Sequence, residues 1–278
     1  MPKISIICAA YNACSCYSFE KSISSILTQT FKEFEFIICD DGSTDGTWDS
    51  LVRFSESDNR IRLIRNEKNL GLAASLNKCL EISDGEYIAR HDCDDYAAPD
   101  RLEKQISYLE EHPEISILGT FAYLFDEGGV WGKITFPTEV TKKDFLFSSP
   151  HQHGSVLFRR DALMRAGGYR VAKETRRCED YDLFMRMHLF AKSANLNEYL
   201  YYFCEDKNTL KRRKYRYRID EMKVRFKGFK MLGLMPRAFF YAIKPLIVGL
   251  IPSRLLAWLK NKFLKRKADI EQFPKNFP

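Results

Sequence analysis

At 278 residues the chain makes one large domain or two smaller ones, and an apolar fraction of 45% excludes a disordered polymer. The net charge of +7 hides an asymmetry. Residues 211–267 hold 18 Lys and Arg against 2 Asp and Glu, leaving 26 of the 44 basic and 35 of the 37 acidic side chains to the rest. An acidic body with a basic tail calls for an anionic partner of the tail, nucleic acid or an anionic membrane, or for solvent alone.

The first apolar run, Lys3 to Ala10, reads as a strand. It ends at Asn12, too soon for a secretion signal, and the protein is expected to be cytoplasmic. Residues 18–30 carry Ile23, Ile26 and Leu27 at helical spacing. Glu33 to Cys39 is a second strand, broken sharply by Asp40-Asp41-Gly42-Ser43-Thr44-Asp45-Gly46. A helix over 47–56, a third strand at Ile61 to Ile64 and a loop from Asn66 to Gly71 follow. Leu72, Leu76 and Leu80 predict an amphipathic helix over 72–82. Glu86 to Ala89 is the fourth strand, and Pro99 opens a helix that buries Leu102, Ile106 and Leu109.

Strand and helix alternating four times predict a mainly parallel sheet with helices on both faces. Beyond residue 113 the pattern changes. Ile115 to Phe125 is a long strand, and 127–150 are rich in loops. Gly154 to Phe158 is a strand leading into a helix over 160–166. A helix from Cys178 to Leu189 and a strand over 194–204 complete a body that ends near residue 206. The eight cysteines form no Cys-x-x-Cys and read as scattered reduced thiols, not a disulfide frame or zinc site.

Four polar motifs each follow a strand: Tyr11-Asn12, Asp40-Asp41, Asn69 to Gly71 and Asp92-Cys93-Asp94. In a parallel sheet the strand C-terminal ends share one edge, so these groups are expected around one crevice. Asp92, Asp94 and Asp95 lie within four residues, where like charges repel. Asp92 and Asp94 could both offer oxygens to Mg²⁺ or Mn²⁺; the competing reading is a solvated turn with a helix N-cap. No P-loop and no Gly-x-Ser-x-Gly elbow occurs. The turn after the first strand lacks the glycine fingerprint of a dinucleotide-binding oxidoreductase.

The stretches IICAAYNA, DDGSTDGT, NLGLAASLN, ARHDCDD with Pro99-Asp100-Arg101-Leu102, HGSVLFRRDALMRAGGY and CEDYDLFMR occur in that order across residues 3–190. Together they resemble the motifs of family-two inverting glycosyltransferases with the GT-A fold, of the type that assembles bacterial surface polysaccharides. The resemblance implies an α/β fold: a single nucleotide-diphospho-sugar transferase domain over 1–206, with a Rossmann-like mixed sheet and helices on both faces. A tail of basic amphipathic helices would occupy 207–278. The implied activity moves a sugar from a UDP-sugar, or a thymidine-linked one, to a glycan or lipid-linked acceptor.

The resemblance also implies roles for residues. Ala10, Tyr11 and Asn12 would lie by the nucleotide, and Asp41 would accept a hydrogen bond from the uracil N–H. Asp45 holds its turn. Asn69 to Asn77 would shape the nucleotide wall, or only start a helix. Asp92, Cys93 and Asp94 would bind the donor, with Asp92 and Asp94 holding Mn²⁺ or Mg²⁺ and Asp95 capping or supporting them. Asp180 would be the catalytic base, beside Glu179. The bland alternative is that both carboxylates only favour a helix N-terminus. His153 would face donor phosphates or acceptor, and Arg176 and Arg177 would close over the diphosphate.

The tail suits an anionic membrane at the cytoplasmic face of the inner membrane. A helix packed on the body or an oligomer contact is its alternative, and no nucleic acid is expected. Rival activities are a metal-dependent phosphatase or nucleotidyltransferase, and a nucleic-acid binder using the tail.

Overall fold

A computed structural model describes residues 1–205, 215–251 and Leu255. The expected membrane-surface stretch beyond residue 251 therefore lies almost wholly outside the described residues, as does the run 206–214. The chain begins β1 (Ile4–Ala10), α1 (Phe19–Leu27), β2 (Phe34–Asp40), α2 (Thr47–Ser57), β3 (Ile61–Arg65), α3 (Leu72–Glu81) and β4 (Tyr87–Arg90). The second half runs β5 (Tyr96–Ala97), α4 (Arg101–Glu111), β6 (Ile115–Asp126), β7 (Gly129–Ile134), β8 (Leu157–Arg159), α5 (Arg160–Arg165), α6 (Glu179–Met187), β9 (Lys192–Cys204), α7 (Tyr215–Met231) and α8 (Phe239–Gly249).

One sheet holds all nine strands, in the order β3-β2-β1-β4-β8-β6-β9-β5 with β7 beside β6. The first four strands pair in parallel, as their alternation with helices predicts. The rest is mixed. β8 runs antiparallel to β4 and β6, β5 runs antiparallel to β9, and β9 runs parallel to β6. Residues 129–134, expected in a loop, form β7 by folding back on β6 across Gly128-Gly129, with Gly129 at φ 103°. Its composition hides it, because β7 is a half-buried edge strand with little apolar signal. The strand expected from Gly154 starts only at Leu157, since His153–Ser155 makes a 3-10 turn.

Side chains alternate across β1 and bury both faces. Ile4, Ile6, Cys8 and Ala10 face the layer of α1, α2 and α4, while Ile7 faces α3 and α6. The second layer extends into the tail. Val224 and Phe229 of α7, then Leu232, Ala238 and Ala242, share a buried cluster with Leu183, Phe184, Met185 and Met187. Gly228 lies where a Cβ would strike Met185, so α7 meets α6 closely at that point. The helices after residue 215 are thus built onto the body.

This topology decides where ligands go. The chain leaves β1 toward β2 and β3, then crosses back to β4 on the other side. The C-terminal ends of β1 and β4 flank that reversal, which is where open α/β sheets bind ligands.

Candidate functional site

On one side of the reversal, β1 ends in Ala10 and the chain turns at Tyr11, which is 50% exposed. Asn12 adopts φ 48°, a left-handed conformation that Asn tolerates better than most residues. Its backbone N–H donates to Ser43 Oγ at 2.9 Å, and its Oδ1 accepts from the Thr44 N–H at 2.9 Å. The N–H groups of Ala13 and Cys14 both donate to Thr47 Oγ1. Asp45 holds its own turn through the Thr47 hydroxyl and N–H. Two loops distant in sequence are thereby locked together.

Asp41 is 3% exposed. Its Oδ1 accepts from Asn66 Nδ2 and the Leu70 N–H, both at 2.8 Å, and its Oδ2 accepts from the Gly71 N–H at 2.9 Å. A carboxylate offers about four acceptor positions, so about one remains for a ligand N–H. Gly42 has no substitute here: its φ is 71° and a Cβ would lie 2.6 Å from the backbone of Lys68. Asn69 is exposed beside this clamp. Asn66 does work not read from the sequence, since it also takes a bond from Lys78 Nζ at 2.7 Å.

On the other side, β4 ends in the fully buried Arg90, which donates to Asp92 Oδ1 at 2.5 Å. A second buried arginine, Arg101, donates to the carbonyls of Arg90 (3.1 Å) and Gly154 (3.0 Å). Its ring partner Tyr201 accepts the Asp92 N–H at 3.2 Å. Ser18 and Ser22 of the α1 region donate to the carbonyls of Asp94 and Asp92. Asp95 turns inward, where its Oδ1 accepts the Cys204 N–H at 2.7 Å. Burial, then the charges of Asp94 and Asp92, hold its pKa well above the usual carboxylate range. Cys93 packs toward the core and Cys8, which leaves its backbone for any ligand contact. Asp94 is exposed.

Among the described residues no group of three or more His, Cys, Asp or Glu is arranged to hold a metal ion. The donor set fits a hard cation only in part. Two carboxylates supply oxygens, one of them already shared with Arg90, so a ligand's own oxygens must complete the shell.

The third wall comes from α6 and the turns before it. His153 lies 2.8 Å from the Tyr169 hydroxyl, and burial followed by Arg90 keeps its imidazole neutral. Tyr169 is fixed by Asn77, which exchanges two hydrogen bonds with its backbone. Asp182 joins Arg170 and Arg186, and Arg186 donates to the carbonyls of Ala166 and Gly168. This ties the Gly167-Gly168 turn to α6. At the start of α6, Glu179 is buried and its pKa is raised by that burial. Asp180 is partly buried, and its pKa is pushed up to about 7 by burial, then by Glu179 and, more weakly, by Asp92. Arg176 and Arg177 are exposed just before α6, and Arg177 lies over the ring of Tyr217 on α7 at 5.7 Å.

Arg90, Arg101, Asn66, Tyr169 and Tyr201 organise these walls and were given no role from the sequence, although Arg90, Arg101 and Tyr169 lie within the motifs that carry the resemblance. Arg101 had a signal: it interrupts the apolar face of a helix directly before Leu102. Tyr201 had none, being one aromatic among several in β9.

The glycosyl transferase family 2 model matches residues 5–172. The glycosyltransferase EpsE of Bacillus subtilis is 38% identical over 96% of this chain and 94% of its own length. An Escherichia coli protein, UDP-Glc:alpha-D-GlcNAc-diphosphoundecaprenol beta-1,3-glucosyltransferase WfaP, is 29% identical over 89% of this chain and 95% of its own. Among solved structures, S. aureus TarS with UDP-GlcNAc aligns over 93% of this chain and 79% of its own with a TM-score of 0.69 at 19% identity, a likeness of fold. The mixed sheet with helices on both faces is the GT-A architecture that the motifs imply.

Proposed function

The chain belongs to glycosyl transferase family 2, and on that premise we propose that it moves a sugar from a UDP-sugar to a hydroxyl of a glycan or lipid-linked acceptor in surface-polysaccharide assembly, inverting the anomeric carbon. That it is a glycosyltransferase follows from the family; the donor, acceptor and stereochemistry are our reading. A UDP-GlcNAc complex of a protein of the same fold and the activity that the name of WfaP states support it.

The observation that carries the mechanism is Asp180. An inverting transfer needs one carboxylate to take the acceptor proton as the oxygen attacks opposite the nucleotide. A carboxyl with a pKa of about 7 is a stronger base than an ordinary one, yet is largely ionised just above neutrality. His153 is neutral and held by Tyr169, which suits it to orient a substrate and not to compete for the proton.

The nucleotide would rest on the Ala10 to Asn12 turn and the free acceptor position of Asp41, walled by Asn69. Asp92 and Asp94 would hold Mn²⁺ or Mg²⁺ together with the donor's phosphate oxygens, with the Cys93 backbone between them. The cation supplies positive charge that offsets the negative charge gathering on the leaving nucleotide. Arg90 is already committed to Asp92, so it sets that carboxylate's direction and does not serve the phosphates.

No helix among the described residues is long and apolar enough to cross a membrane. We assign the tail to an anionic membrane surface on the cytoplasmic side. Phe239, Phe240, Ile247 and Leu250 of the α8 region stand exposed among Arg237, Lys244 and the basic residues of α7.

Thermal shift with a panel of nucleotide sugars tests the donor. UDP-sugars with Mn²⁺ should raise the melting temperature, since ligand at 100 times its Kd adds about 2.7 kcal/mol to stability. A shift given only by dTDP- or GDP-sugars would replace uridine in this account.

A further inference from the structure

On the sheet edge opposite the ends of β1 and β4 lies a pocket of about 690 Å³. β4 and β6 are each antiparallel to β8, so they run parallel to one another, and β9 runs parallel to β6. The pocket surrounds the starts of β6 and β9, at Ile115 and Lys192, so the length of the sheet separates it from Asp92. Its volume falls well inside the range of ordinary ligand pockets.

Three stretches build its walls: the end of α4 at Tyr108 and His112, residues 139–141, and the turn from α6 into β9. They are braced. The Val140 N–H donates to the Ser193 carbonyl at 3.1 Å and the Asn195 N–H to the Thr138 carbonyl at 3.0 Å, about an antiparallel bridge between Glu139 and Ala194. Thr141 donates to Asp144 through its N–H and its hydroxyl, both at 2.7 Å. Arg159 donates to the His112 carbonyl at 3.3 Å.

The lining narrows the ligand class. Two carboxylates, Glu114 and Glu139, stand there with one lysine, Lys192, and no arginine, which disfavours phosphate esters. His112 lies 3.5 Å from Glu114, and among the described residues no such groups are arranged to hold a metal ion. Burial, followed by Lys142, holds the His188 pKa below the usual histidine range.

What remains suits hydroxyl groups on an apolar ring. Carboxylate oxygens accept O–H bonds. His188 Nδ1 and the Oγ of Ser193, a residue 4% exposed, are buried and have no partner among the described residues. An unmet buried polar atom costs about 1–3 kcal/mol, and a hydroxyl, which both donates and accepts, meets either. The Tyr108 and His112 rings lie 4.2 Å apart, and Phe190 is 37% exposed with Arg165 over its ring at 4.3 Å. Such rings offer flat apolar surface to the C–H face of a sugar. We propose that this pocket binds a neutral saccharide, as a second sugar site remote from donor and acceptor. It stands whether or not the donor is a UDP-sugar.

The test is saturation-transfer NMR on the full chain with Mn²⁺ and UDP, titrating glucose, N-acetylglucosamine, cellobiose and glucose 1-phosphate. At least one neutral sugar should bind. Glu139→Ala and Phe190→Ala should each weaken it about tenfold, with the melting temperature and UDP affinity kept. Those two controls show that the variants fold. Cellobiose binding more tightly than glucose would identify a unit of a glycan chain as the ligand, and equal binding a free sugar; both support the site. Tighter binding of glucose 1-phosphate than of glucose would overturn it, as would no neutral sugar binding at 10 times the usual millimolar range, on the order of tens of millimolar. Affinity unchanged in both variants but lost in Asp180→Ala would place the sugar on the acceptor side and also overturn it. Failure of the wild type to bind UDP overturns only the donor reading, because the sugar titrations do not depend on it.

Discussion

At the scale of residues, the three clustered carboxylates have three different situations, and their substitutions should separate. Asp94 is exposed, so Asp94→Ala should change stability by less than about 1 kcal/mol while abolishing sugar transfer. Asp92 offsets the fully buried Arg90, so Asp92→Ala should also cost roughly 2–3 kcal/mol of stability, discounted from a fully buried pair because Asp92 is partly exposed. Denaturant melts beside transfer assays read both, and equal stability losses would refute this division. Full transfer by the wild type in excess chelator would remove the metal from the account. Asp180 behaves differently again. Its pKa is raised from 3.8 to about 7, so the folded state binds its proton more tightly than the unfolded one. Its effect on stability is therefore fully present below about pH 4 and lost as the pH rises through about 7. Asp180→Asn removes that loss. It should be more stable than wild type by roughly 1–2 kcal/mol at pH 8, only part of the full linkage because the carboxylate keeps some contact with solvent, and near parity at pH 4. A variant equally stable at both pH values would mean that Asp180 is not desolvated. What was legible at this scale were the exposed or motif-borne groups, Tyr11, Asp41, Asp94 and Asp180. Tyr201 and Asn66 were not, because their partners lie 109 and 12 residues away and no local pattern announces them, and Arg90 was not, because a basic residue at a strand end carries no sign that it will be fully buried.

At the scale of elements, strand and helix order in the first half was readable because each parallel strand is buried on both faces and each helix buries one stripe. The antiparallel half was less so: β7 is an edge strand and β5 is two residues long, too short for any period. The tail shows the same limit. α7 is basic with scattered apolar residues, a composition that suits a membrane surface, yet Val224 and Phe229 are buried against α6. Phe229→Ala should cost about 3–5 kcal/mol and lower the single melting transition of the body. A melt unchanged from wild type would show that α7 does not belong to the core. Basic residues on the outer face remain available to an anionic partner.

At the scale of the whole molecule, we read the C-terminal ends of β1 and β4 as the nucleotide side and the start of α6 as the acceptor side, with the tail helices packed on α6 near an exposed apolar face. Phe240, 76% exposed, and Ile247 lie on that face. The double change Phe240→Glu and Ile247→Glu should release the protein from anionic vesicles while leaving UDP binding intact. Undiminished co-sedimentation would place the membrane contact elsewhere. The central claim is that one carboxylate, Asp180, takes the acceptor proton across from a UDP-sugar seated at the ends of β1 and β4. The most direct measurement is transfer of radiolabelled sugar from a UDP-sugar to a bacterial lipid extract, as kcat/KM against pH, in wild type and Asp180→Asn. The account predicts a wild-type rate that falls about tenfold per pH unit below pH 7, and an Asp180→Asn enzyme that binds UDP normally but transfers at least about a thousandfold more slowly. A variant that turns over near the wild-type rate, with the same pH profile, would contradict it.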